Sequence, residues 1–136
     1  MLRLLPRFLL DTHIVIRWLI QPDKLSREQA RAIEGALRRT EPVALSAVSL
    51  LEIAILVSEG RIRLRMPLDE FFEELQSIPL FRLLPISYEV ASEAAALGSL
   101  RDPADRAIVA TARVHRLRLV TSDQRIIEAK LAPVVE

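Results

Sequence analysis

Four acidic residues stand where an acid is either costly or well placed for chemistry. Asp11 directly follows the apolar run Phe8-Leu9-Leu10, and Asp123 follows Leu119-Val120-Thr121-Ser122 in the same way. Asp105 opens the stretch Asp105-Arg106-Ala107-Ile108-Val109-Ala110. Each of these three has a plain structural account, because Asp between a strand and a helix is a favoured N-cap. Glu52 is different. In a helix its neighbours three and four residues away are Val48, Ser49, Ile55 and Leu56, which offer almost no polar face. A buried carboxylate needs an ion pair, a route to solvent or a functional reason. If the four acids converge, two carboxylates about 4 Å apart repel by about 4 kcal/mol at an effective dielectric of 20. Protons or a cation must compensate. A hard divalent ion held by oxygen ligands, Mg²⁺ or Mn²⁺, suits such a set. Acidic clusters of this kind activate water and support in-line displacement at phosphorus.

The elements that would carry these acids are short. Arg7 to Leu10 reads as a buried strand, and Ile14 to Ile20 as a helix closed by Gln21-Pro22-Asp23. Ser26 and Gln29 form a capping box for a helix with Ala30, Ile33 and Leu37 on one face. Val43 to Leu45 is a second strand, followed by a nearly all-apolar helix from Ala47 to Ser58. Pro67 opens a helix over Leu68 to Ser77, with Phe71, Phe72 and Leu75 toward the core. Leu80 to Leu84 is a third strand. Ser87 to Leu97 is helical with Gly98 at the C′ position. Pro103 to His115 is a helix, Leu117 to Val120 a fourth strand, and Asp123 caps a short helix before a fifth strand within Leu131 to Val135. Strands alternating with helices predict an α/β fold with a largely parallel sheet covered on both faces. The 136 residues are expected to form a single domain, 1–136.

Composition removes several alternatives. There is no cysteine, which excludes disulfides, thiolate metal sites and cysteine nucleophiles. His13 and His115 are the only histidines, too few for a histidine-rich metal site. Neither GxGxxG nor GxxxxGK[ST] occurs. The net charge is +1, so nucleic-acid affinity must come from a local patch. Met1 to Leu10 reads as a short lead-in plus a strand, since Arg3, Pro6, Arg7 and Asp11 interrupt any signal-like run. The longest apolar region, Val43 to Val57, is too short to span a bilayer. A location in the cytoplasm, without membrane attachment, is the expectation.

At this point the residues resemble a known family. Leu9-Leu10-Asp11-Thr12-His13 with Arg17-Trp18-Leu19, then Leu45 to Ala54 around Glu52, then Arg101-Asp102-Pro103-Ala104-Asp105-Arg106 with Ala110-Thr111-Ala112, then Val120-Thr121-Ser122-Asp123, follow one another in the order and spacing of the PIN-domain nucleases. Among these the chain is most similar to VapC-type toxins of toxin–antitoxin pairs. The resemblance covers nearly the whole chain. It implies a three-layer α/β/α sandwich with a mostly parallel five-stranded sheet. It also implies Mg²⁺- or Mn²⁺-dependent endoribonuclease activity and a cognate antitoxin that blocks the site. Asp11, Glu52, Asp105 and Asp123 match the family's acidic quartet and would serve as metal-binding and catalytic residues. Asp102 is a second acid in the third motif, with a turn before Pro103 as its structural alternative. Leu100 and Ala104 stand where many relatives carry His and an aromatic residue, which bears on the substrate.

Around the quartet, Thr12, Ser49 and Thr121 are placed to hydrogen-bond the acids or local backbone. Arg106 is placed to pair with a site carboxylate or a phosphate. Of the 19 basic residues, 17 are Arg. Arg61, Arg63 and Arg65 are candidates for RNA backbone contacts, and Arg27, Arg31 and Arg38 form a second set. His13 is read as packed near the first helix, His115 as surface, and Trp18 as core or interface. A mean hydropathy of +0.24 in so small a chain suggests apolar surface covered by a homodimer partner or an antitoxin helix. Two other readings stay open. A haloacid-dehalogenase-like phosphatase would need an acid where His13 stands. A noncatalytic α/β RNA-binding or regulatory module would use the acids only as caps and ion pairs. DNA as the substrate is a further alternative.

Overall fold

The computed structural model describes residues 5–136. The first four residues of the lead-in lie outside them. Five strands form one sheet: β1 (Phe8–Leu10), β2 (Val43–Ser46), β3 (Phe81–Leu84), β4 (Arg118–Val120) and β5 (Val134–Val135). Every pairing is parallel, in the order β3-β2-β1-β4-β5. The helices are α1 (Thr12–Ile20), α2 (Arg27–Arg38), α3 (Ala47–Ser58), α4 (Leu68–Ser77), α5 (Tyr88–Ala95), α6 (Pro103–His115) and α7 (Gln124–Ala129). A 3-10 turn, Pro22–Lys24, follows α1. No described helix is long and apolar enough to cross a membrane.

The strands are short and apolar because both faces of the sheet are buried. The pleat sends alternate residues to opposite sides. Phe8, Leu10, Val43, Leu45, Val120 and Val135 join Ile14, Ile33, Ile53, Phe71 and Leu75 in one core. Leu9, Ala44 and Leu119 join Val90, Ile108, Ala112 and Ile126 in the other. The expected sandwich is therefore present, with α1, α2 and α4 on one face and α5 and α6 on the other. Helix α3 serves both, giving Ile53 to the first core and packing Val48 against the second.

Several boundaries differ from those expected. Helix α1 begins at Thr12 rather than Ile14, because Asp11 is its N-cap. Leu80 has φ 65°, so β3 starts one residue later. Arg116 takes the left-handed conformation that closes α6, which delays β4 to Arg118. Helix α5 ends at Ala95, not Leu97, and Gly60 is the one left-handed glycine among the described residues, so Gly98 is not a left-handed cap. The chain leaves the helix early and buries Leu97 and Leu100 instead. Phe72 is only partly buried, at the edge of the first core, as is Trp18.

The strand order has a functional consequence. From β1 the chain builds outward through β2 to β3, then returns to the other side of β1 for β4 and β5. The crevice beyond the carboxyl ends of β1 and β4 is the switch point, where ligands bind in open α/β sheets. Asp11 leaves β1 there, and Thr121 to Asp123 leave β4 there.

Candidate active site

Local folding brings each acid to this crevice. Asp11 is buried, and its Oδ1 receives the Thr12 N–H at 2.8 Å. Its Oδ2 receives the Thr121 hydroxyl at 2.7 Å, which ties β1 to β4 across the switch point. Thr121 Oγ1 also accepts the Asp123 N–H at 3.0 Å. Asp123 Oδ1 caps α7 by accepting Arg125 N–H at 2.9 Å. Asp102 Oδ1 caps α6, accepting N–H from Ala104 and Asp105. Asp105 is therefore not the cap of its helix. It sits in the first turn, with no capping duty of its own.

Glu52 projects from the second turn of α3. It is half-buried rather than enclosed, since α3 leaves Leu51 60% and Ile55 45% exposed. Its polar partner comes from another helix: Thr12 Oγ1 lies 2.5 Å from Glu52 Oε1 and 2.8 Å from Ser49 Oγ. A hydroxyl has one proton, so Thr12 donates it to the carboxylate and accepts from Ser49.

Asp11, Glu52, Asp102, Asp105 and Asp123 line one open pocket of about 400 Å³. Their proximity shows in their acidity. Burial, then the charges of Asp102, Asp123 and Asp11, push Asp105 up to about 7, against a smaller opposing pull from Arg125. Burial also raises Glu52, helped by Asp11 and Asp102, while the Thr12 hydrogen bond works the other way. His13, Arg17, Gln21, Lys24 and Arg125 line the same pocket, with Arg125 Nε 3.6 Å from Asp123 Oδ1. Burial lowers the His13 pKa more than the Asp11 charge raises it.

Among the described residues, no three carboxylate or imidazole groups stand close enough to enclose an ion. The donor set still suits Mg²⁺ or Mn²⁺. It is all carboxylate oxygen on an open pocket, and Mg²⁺ commonly binds one or two carboxylates, keeps several waters and shares its shell with substrate phosphate.

The supporting residues divide. Thr12 and Thr121 hydrogen-bond the acids as described, whereas Ser49 reaches only the Thr12 hydroxyl. Arg106 does not: its guanidinium donates to the Leu100 carbonyl, outside the pocket. Arg63 and Arg65 also lie away from it, their exposed side chains alternating with Leu64 and Met66, which pack on the first core. Arg61 lines a neighbouring hollow that shares Glu52 and Asp102. His13 is more than packing, since it faces the pocket with Nδ1 3.6 Å from Asp11 Oδ2. Sequence reasoning missed Lys24 and Arg125 and gave Arg17 no role of its own. Arg17 lies six residues after Asp11, nearly two turns along the same helix, which was an available signal. Nothing local marked Lys24.

The site is thus an acid-lined pocket at the switch point of a parallel α/β/α sandwich. The PIN domain sequence pattern matches residues 8–131, and the chain belongs to the PIN-domain family. It is 39% identical over 120 residues to Ribonuclease VapC22 of Mycobacterium tuberculosis, covering 87% of this chain and 88% of that protein. Among solved structures it is similar to a toxin–antitoxin complex from Klebsiella pneumoniae, with 25% identity, TM-score 0.66 and coverage of 94% and 95% of the two chains. It is also similar to FitAcB from Neisseria gonorrhoeae, with 26% identity, TM-score 0.64 and coverage of 95% and 96%.

Proposed function

We propose that this protein is a Mg²⁺- or Mn²⁺-dependent endoribonuclease, the toxin of a toxin–antitoxin pair. One observation carries the reading: five carboxylates line a single open pocket at the switch point. Burial, with the charges of Asp102, Asp123 and Asp11, pushes Asp105 up to about 7. A divalent cation would offset the negative charge of such a set. Similarity to Ribonuclease VapC22 and to the Klebsiella complex supports RNA as substrate and an antitoxin as partner.

Asp11 and Asp105 would hold the ion directly, with Glu52 and Asp123 completing its shell directly or through water. Bound there, the ion lowers the pKa of water and offsets charge on the scissile phosphate. The chain's own residues do the rest. Thr12 N–H and Thr121 Oγ1 fix both oxygens of Asp11. Glu52, with Oε1 held by Thr12 and its pKa raised, would take a proton from the attacking water. Arg17, Lys24 and Arg125 line the same pocket and would meet the anionic backbone, with Arg61 in the neighbouring hollow. Asp102 adds charge that raises its neighbours and caps the helix that carries Asp105. The exposed Leu51, Ile55 and Leu83 support a homodimer, and the reading places the protein in the cytoplasm.

The test is cleavage of pooled RNA by the antitoxin-free protein with Mg²⁺ or Mn²⁺, with EDTA, and with Asp11→Asn as control for contaminating nuclease. Metal-dependent cleavage that the variant loses is the expected result. Cleavage that persists in Asp11→Asn removes Asp11 from the reaction. No cleavage, together with no ion bound by calorimetry, returns the acids to caps.

A further inference from the structure

Ser122 joins β4 to α7 between two residues of the site. Before it is Thr121, whose hydroxyl holds Asp11, and after it is Asp123. Three side chains from outside this turn meet it. His13 Nε2 accepts the Ser122 N–H at 2.9 Å, which leaves the imidazole proton on Nδ1, the nitrogen facing Asp11. Arg17 Nη1 donates to Ser122 Oγ at 3.2 Å. Gln29 Nε2 donates to Ser122 Oγ at 2.8 Å and to the Thr121 carbonyl at 3.3 Å.

His13 and Arg17 belong to α1, which Asp11 itself caps. Gln29 comes from α2, which gives no residue to the pocket wall. It is 1% exposed, among the core residues Ile33 and Ala36. Its other end is occupied by the capping box of α2: Oε1 accepts the Ser26 N–H at 2.9 Å, and its own N–H donates to Ser26 Oγ at 3.0 Å. A capping box uses only the acceptor end of a glutamine. The Nε2 end is spent on the β4–α7 turn. The network is complete, since no buried side-chain nitrogen or oxygen among the described residues lacks a partner.

We propose that Gln29 is a positioning residue. Its Nε2 end braces the Thr121-Ser122-Asp123 turn against α2, and so sets where Asp123 stands relative to Asp11. Without it the turn keeps its contacts to Asp11, His13 and Arg17 and the Thr121 N–H bond to the Val135 carbonyl, but Ser122 and Asp123 lose their brace from α2. A displacement of about 1 Å at a reacting group can cost on the order of 10²-fold in rate. The effect on turnover rests on the nuclease reading, whereas the effect on the turn does not.

The experiment compares Gln29→Met and Gln29→Glu with Ser26→Ala in the full-length chain. Gln29→Glu keeps the acceptor for Ser26 N–H and removes the donor, which keeps the test usable if the apolar variant fails to fold. Ser26→Ala weakens the same capping box and spares the Nε2 end. Amide hydrogen exchange at Ser122 and Asp123 is read by NMR, and kcat and KM for RNA cleavage are read well below each melting temperature. Either Gln29 variant is expected to speed exchange of those two amides about tenfold over Ser26→Ala. It should also lower kcat about tenfold, with KM within about twofold of wild type. Exchange at those amides no faster than in Ser26→Ala overturns the proposal. If wild type cleaves no RNA, the nuclease reading fails, and the exchange rates still decide the brace.

Discussion

At pH 8 the Asp105 carboxylate is ionised in a pocket that already holds the charges of Asp102, Asp123 and Asp11. Replacing Asp105 by Asn keeps the shape and removes the charge, so the variant should be more stable than wild type in the absence of metal. The sign follows from linkage. The folded state binds this proton up to about pH 7, whereas the unfolded chain releases it near 3.8. Between those values the folded state carries more protons, so wild-type stability falls as pH rises. A rise from 3.8 to about 7 corresponds to at most about 4 kcal/mol. The group is only partly buried, and solvent screening takes roughly half of that. A further loss of ~0.3–1 kcal/mol comes from removing a negative charge from the first turn of α6, where the helix dipole favours it. The net gain is about 1–1.5 kcal/mol, or roughly 3–6 °C in Tm for a chain of 136 residues.

The assay is denaturant and thermal unfolding of both proteins in EDTA from pH 4 to pH 9. The variant's advantage should be absent near pH 4, grow through pH 5 to 7 and level off above. A second arm adds Mg²⁺. An ion that binds only the folded state contributes about 1.4 kcal/mol at ten times its dissociation constant. Wild type should therefore recover most of the gap, and Asp105→Asn should gain less. A variant no more stable than wild type at pH 8, or an advantage already complete at pH 4, would falsify the crowded-carboxylate argument.

Two other outcomes are expected. Arg17→Gln with Lys24→Gln should weaken metal-free RNA binding and reduce the slope of log K against log salt by about 0.7 for each phosphate that is no longer neutralised. An unchanged slope in filter binding would mean these cations do not meet the backbone. Thr121→Val removes a buried hydroxyl that both donates to Asp11 and accepts from Asp123, so unfolding free energy should drop by about 2 kcal/mol and cleavage should fall with it. Wild-type stability in that variant would show the two acids are held by other means.

The fold was largely legible in the residues. Strands such as Phe8-Leu9-Leu10 are short, wholly apolar and bounded by a cap, and Ser26 with Gln29 announces α2. What escaped were effects with no local signature. Left-handed Leu80 and Arg116 trim two strands, although neither residue type prefers that conformation. Glu52 was singled out for lacking a partner on its own helix, and its partner Thr12 lies 40 residues away in sequence. Arg63 and Arg65 alternate with apolar residues so that the latter reach the core, which turns the arginines outward and away from the pocket. The cations that do reach it, Arg17, Lys24 and Arg125, come from three separate elements. Arg17 and Lys24 are neighbours along α1 and its following turn, and the pairing of β1 with β4 brings Arg125 to them.

The choice between cap and site residue, posed by Asp11, Asp102 and Asp123 in the sequence, dissolves in the structure. A carboxylate has two oxygens. In Asp102 and Asp123 Oδ1 alone is spent on the helix, while in Asp11 Oδ1 is the cap and Oδ2 is held by Thr121. Capping orients each group at the pocket without asking the rest of the fold to support an isolated charge, because the N–H groups it satisfies are ones a helix start leaves open. Asp105 and Glu52 have no such duty, and they are the two acids whose pKa values are raised. The acids that cap belong to the architecture. The electrostatic strain that a cation would relieve is concentrated on the two that do not.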